Sequence, residues 1–101
     1  MRVVFHIDDL TRWPRVKGNI NNLLKETNEI TVVLLANGDA VKGYLMEENQ
    51  PFLRETPIVF HACRNALRSQ EIMEEQLLDV IKVVPAGVLD LVELQTTGYS
   101  Y

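Results

Sequence analysis

Cysteine, tryptophan and basic charge are all scarce in this chain of 101 residues: there is one Cys, one Trp, and ten Lys and Arg against fourteen Asp and Glu. A single thiol excludes an internal disulfide framework and any multi-cysteine zinc or iron–sulfur site within one chain. The net charge of −4, with a pI near 5.1, argues against nucleic acid or an anionic membrane as the main partner. Long apolar runs are missing as well. The opening stretch Val3-Val4-Phe5-His6-Ile7 is cut at once by Asp8-Asp9, too short and too soon interrupted to be a signal peptide or a membrane span. No other stretch approaches the ~18 apolar residues of a spanning helix. The expected setting is therefore cytoplasmic, where a lone thiol stays reduced. Phosphate-binding glycine patterns and a Gly-x-Ser-x-Gly nucleophile turn are also absent, so these motifs lend no support to phosphate-loop or serine-nucleophile chemistry.

What is present suits one globular domain spanning residues 1–101, with 47% hydrophobic and 24% charged residues, close to the globular average. A chain of this size buries roughly two-thirds of its unfolded surface, enough for a core without metal or disulfide staples. Residues 2–7 read as a buried strand. Trp13, Val16, Ile20, Leu23 and Leu24 recur at helical spacing, with Thr11 as a cap and Pro14 in the first turn. Ile30–Ala36 is a second strand, apolar on both faces as central parallel strands are. Asn37-Gly38-Asp39 turns the chain into a shorter helix carrying Ala40, Val41, Tyr44 and Leu45. Residues 47–57, with two prolines and several charges, are expected to be loop. Ile58–Ala62 is the third strand, Cys63 to Arg68 a helix start, Glu74 to Leu78 a helical turn, and Val80–Val84 the fourth strand. Pro85-Ala86-Gly87 leads into a helix bearing Val88, Leu91, Val92 and Leu94, closed by Gly98, and Tyr99-Ser100-Tyr101 would begin a last strand. Strands alternating with helices in this way imply an α/β fold, a parallel sheet covered by helices on both faces.

Ligands in such folds sit beyond the carboxyl ends of the strands. Those ends carry Asp8-Asp9, Asn37-Gly38-Asp39, Cys63-Arg64-Asn65 and Pro85-Ala86-Gly87. Cys63 stands at a strand–helix junction, where unpaired N–H groups and the positive end of the helix dipole favour a thiolate, and Arg64 and Arg68 act in the same sense. The alternative is a small buried hydrophobe filling the corner. His61, two residues earlier, points to the same side of the strand with its Cα roughly 6.5–7 Å from that of Cys63, too far for a direct pair unless the chain bends. His6 holds a similar late position on the first strand. A two-His-one-Cys metal site would need residues from two strands to converge, and packing histidines are the commoner case, so no metal is expected. Cys63 to Arg68 has the Cys-x4-Arg spacing of rhodanese active loops, but Asn65-Ala66-Leu67 favours a helix over a glycine-lined anion loop. Asp8-Asp9 has the look of a phosphotransfer corner, yet no acid follows at the second strand end, and a solvated turn is the simpler reading.

Several separated segments resemble one family. Val-Val-Leu-Leu-Ala-Asn-Gly-Asp-Ala-Val (32–41), His-Ala-Cys-Arg-Asn-Ala-Leu-Arg (61–68) and the stretch from Val83 through Pro85-Ala86-Gly87-Val88 to Tyr101, with the opening Val-Val-Phe-His-Ile-Asp, are similar to DsrE/DsrF-like proteins. The resemblance spans nearly the whole chain. It implies a three-layer α/β/α sandwich with a mostly parallel, about five-stranded sheet. It also implies assembly as a trimer or hexamer and intracellular sulfur relay, with Cys63 accepting sulfur as a persulfide from a donor protein and passing it to an acceptor. In that reading Arg64, Asn65, Asn37, Gly38, His6 and His61 line the pocket or stabilise the anionic sulfur, and no cofactor is needed. The competing expectation is a homo-oligomeric scaffold or small-ligand module in which Cys63 is structural. The Pro-containing stretch 47–57 departs from the family, whose members tend to carry a fuller helix there.

Overall fold

The β-branched runs form four strands, β1 (Arg2–Ile7), β2 (Thr31–Ala36), β3 (Val59–Cys63) and β4 (Ile81–Val84). They lie parallel in the order β1-β2-β3-β4 in a computed structural model that describes residues 1–101. Val32 to Ala36 are all buried, because β2 is central and both of its faces are covered. With strands in chain order, right-handed crossovers place every β-to-β connection on one face of the sheet. That face carries α1 (Trp13–Glu26), α2 (Gln50–Glu55) and α3 (Arg64–Ser69). The last helix, α4 (Gly87–Thr96), leaves the β4 edge and returns across the opposite face to β1. The result is a three-layer α/β/α sandwich.

The two faces have separate cores. The larger includes Trp13, Ile20, Leu34, Tyr44, Phe60 and Leu67, with edge-on contacts from Trp13 to Tyr44 (5.3 Å between centroids) and from Tyr44 to Phe60 (6.3 Å). The smaller comprises Val4, Val33, Leu35 and Val84 beneath Leu91, Leu94 and Tyr99. A single helix covers this second face, and Val88, Leu89 and Val92 on it remain exposed.

Three expectations change. The sheet has four strands and not five. After Gly98 (φ +96°) the Tyr99 N–H still returns to the Leu94 carbonyl, so pairing with β1 starts only at Ser100 and amounts to one bridge, to Val3. Residues 47–57 are not a loop, because they form a 3-10 turn, Glu47–Asn49, followed by α2. Pro51 falls in the first turn of α2, where its missing N–H has no partner to lose. The Asn49 and Gln50 amides donate to the carbonyls of Gly43 (2.8 Å) and Tyr44 (3.0 Å), which ties the segment down, and Pro57 comes only after the helix has ended. The shorter helix expected after Asn37 is a 3-10 helix, Gly38–Leu45. Its Ala40 carbonyl, which an α-helix would offer to Tyr44, accepts from the Trp13 indole N–H at 2.8 Å. No helix is long and apolar enough to cross a membrane.

Candidate functional site

The carboxyl ends of β2, β3 and β4 bring Asn37, Gly38, Cys63 and Gly87 together. Cys63 closes β3 and caps α3 in extended conformation (φ −71°, ψ 119°). Its Sγ accepts the backbone N–H of Gly87 at 3.2 Å. Gly87 opens α4, so its N–H is one of the donors that a helix start leaves without an intrahelical partner. The dipole of this helix adds positive potential at the sulfur. Cys63 is only 3% exposed and lines none of the surface cavities.

Asn37 is pinned three ways. Its N–H donates to the Ile7 carbonyl (2.8 Å), its carbonyl accepts from Ala40 (3.1 Å), and its Oδ1 accepts from the Gly38 N–H (2.8 Å). Only the oxygen of the amide can accept, so Nδ2 is the end turned toward Gly87. A Cβ built on Gly87 would lie 2.9 Å from that Nδ2 and 3.4 Å from Cys63 Cβ. Glycine at 87 is therefore what lets the start of α4 pack against both the Asn37 amide and the Cys63 side chain. Gly38 is needed for a different reason: its φ of +53° is left-handed, and a Cβ there would meet the Asp8 carbonyl oxygen at 3.0 Å.

The other residues singled out by sequence are dispersed. Arg64 directs its Nε to Glu74 Oε2 at 3.1 Å, across the surface of α3. Asn65 is exposed in the first turn of that helix. His6 and His61 stand level with each other, each in register with Leu35, about 10 Å apart across two strand spacings. His6 Nδ1 shares a hydrogen bond with the Tyr101 hydroxyl (3.0 Å), while its Nε2 is buried without a partner. His61 Nδ1 meets Asp90 Oδ2 of α4 at 2.8 Å, in a pair whose side chains are 8% and 10% exposed. No group of three or more His, Cys, Asp or Glu side chains is placed to hold a metal ion. At the first strand end, Asp9 caps a 3-10 turn. The Thr11 hydroxyl and N–H, with a weaker contribution from Arg12, hold its exposed carboxyl below the usual range.

Asp90 is the contributor that sequence reasoning passed over, while Gly87 stood only among the residues of the fourth strand end. Gly87, Asp90, Leu91 and Leu94 follow i, i+3, i+4, i+7 spacing, so an acid falls within the buried stripe of α4. That was the available signal, since a buried carboxylate requires a partner.

The solved structure of MTH1491 from Methanobacterium thermoautotrophicum, described as a protein of unknown function, superposes with a TM-score of 0.87 and 30% sequence identity, covering 99% of this chain and 96% of that one. The chain belongs to the same family as MTH1491. It matches no family model and no curated protein. The likeness to MTH1491 extends over the whole length of both chains, so it supports the sandwich architecture from β1 to α4. MTH1491 brings no activity with it.

Proposed function

We propose that this is a DsrE-like sulfur carrier, working in the cytoplasm, in which Cys63 accepts sulfur as a persulfide and hands it to an acceptor protein. The observation that carries this reading is the Gly87 N–H donated to Cys63 Sγ at 3.2 Å. A fixed donor at the sulfur, on the first residue of a helix, suits an atom that becomes anionic during exchange. In the transfer, the Cys63 thiolate attacks the terminal sulfur of a donor persulfide. A new S–S bond forms at Cys63, the donor's S–S bond breaks, and the donor leaves as a thiolate. The step consumes no oxidant and needs no cofactor. Since Cys63 is 3% exposed, exchange with a protein donor requires the rim around Gly87 and Asn37 to open.

The test is incubation with a cysteine desulfurase and cysteine, read by intact mass. One sulfur adduct that disappears in Cys63→Ser is expected. No adduct, with a competent acceptor as control, would reject the carrier reading. A second reading, a homo-oligomeric scaffold with a structural Cys63, is favoured by the exposure of Val88 (68%), Leu89 (52%) and Val92 (54%) on α4. Self-association as a trimer or hexamer is part of both readings, and only the first requires the adduct.

A further inference from the structure

β3 and the first turn of α4 touch at two points. Cys63 Sγ accepts from Gly87 at 3.2 Å, and His61 pairs with Asp90 at 2.8 Å. The two strand residues are two apart, and the two helix residues are three apart, which is nearly one turn. The contacts differ in character. An N–H to sulfur bond is weak and undirected, whereas a buried imidazole–carboxylate bond is short, charge-assisted and costly to leave half-made. Little else holds this end of the helix: α4 has no side-chain cap, and the neighbouring Val88 and Leu89 are exposed. Leu91 and Leu94 anchor α4 only further along. On the outer flank, Lys82, Pro85, Leu89 and Glu93 line a groove of about 220 Å³ that reaches Asp90.

We propose that His61 and Asp90 are positioning residues that latch the first turn of α4 onto β3 and so hold the Gly87 N–H on Cys63 Sγ. Neither residue touches the reacting sulfur in this scheme. They set where the helix start sits, and release of the latch is the opening that exposes the thiol. The inference rests on Cys63 being the working thiol, and its readouts are made on the free protein so that they stand apart from sulfur loading.

The experiment measures amide exchange at Gly87 by NMR, together with the rate of Cys63 alkylation by iodoacetamide, in wild type, Asp90→Ala and Asp90→Asn. Asp90→Ala removes the acceptor, and both rates should rise by about tenfold or more while amides of β1 and β2 stay within about threefold. Asp90→Asn keeps an oxygen for the His61 Nδ1–H and should stay within about threefold of wild type on both readouts. If Asp90→Ala does not fold, Asp90→Ser, too short to reach His61, takes its place. Unchanged rates at Gly87 and Cys63, or an equal rise across all strands, would overturn the latch. Released Gly87 with no sulfur adduct on wild type would reject the carrier and leave the latch standing. A normal adduct with an unmoved Gly87 would do the reverse.

Discussion

Gly43 shows how one residue type can be dictated by a neighbour far away in sequence. A Cβ at this position would fall 1.9 Å from Trp13 Nε1, and the indole cannot retreat because it is buried and bonded to Ala40. Gly43→Ala should lower unfolding free energy by about 1–3 kcal/mol or more through overpacking. Urea denaturation measures it, and wild-type stability would contradict this contact. Asn37 makes the corresponding case within the candidate site. Asn37→Asp keeps the size and the Gly38 contact but replaces the Nδ2 donor with a second acceptor. Sulfur loading of Cys63 by a desulfurase should slow by about tenfold, because a carboxylate against Gly87 opposes the negative charge that develops on the sulfur, with little change in thermal midpoint. An unchanged loading rate would remove Asn37 from the proposed machinery. Asn37 and Gly38 stood out in the sequence because strand-end turns favour such residues, and Cys63 because it is the one cysteine and falls at a strand end. The partner of Arg64 was not legible: Glu74 is ten residues away, and the choice between sulfur and carboxylate depends on side-chain geometry.

The 3-10 helix Gly38–Leu45 is held by Tyr44, whose hydroxyl donates to the His61 carbonyl at 2.7 Å and lies 3.2 Å from that of Leu34. The element is thereby stitched to β2 and β3. Burial raises the Tyr44 pKa well above the ordinary value of 10.0. The folded state therefore retains a proton that the unfolded chain releases above about pH 10. This contribution is fully present below that pH and is lost as pH rises, with a slope of up to ~1.4 kcal/mol per pH unit. Tyr44→Phe should cost about 0.5–1.5 kcal/mol at neutral pH and should flatten the alkaline loss. Denaturant titrations from neutral to alkaline pH in both proteins check it, and parallel curves would exclude Tyr44 as the source. The helical character of residues 50–55 was hidden for a related reason. Proline and charge read as loop, whereas the Asn49 and Gln50 side-chain bonds that shape this segment are invisible to periodicity.

At the scale of the molecule, the asymmetry between the two faces of the sheet is the main feature. Three helices and the 3-10 helix Gly38–Leu45 cover one face, while α4 alone covers the other and turns Val88, Leu89 and Val92 outward. Association through this face should appear in native mass measurements as species heavier than 11.6 kDa at micromolar concentration. A Val88→Lys, Val92→Lys double variant should shift the population toward the single chain, because desolvating two ammonium groups opposes burial. A wild-type protein that stays a single chain would contradict this association, and a double variant that assembles normally would place the interface elsewhere.

Residue pattern alone established the α/β class, the positions of the strands and the place of Cys63 at a strand end, because hydrophobic periodicity and turn chemistry act over short stretches of chain. Strand order, the reduction of the fifth strand to one bridge, and the meeting of Gly87 with Cys63 and of Asp90 with His61 were settled only by the fold. Each depends on how crossovers of fixed hand bring distant strand ends together. A lone cysteine was evident from composition. That a helix start donates to it, beside a buried histidine–aspartate pair, follows from the single helix that crosses the back of the sheet.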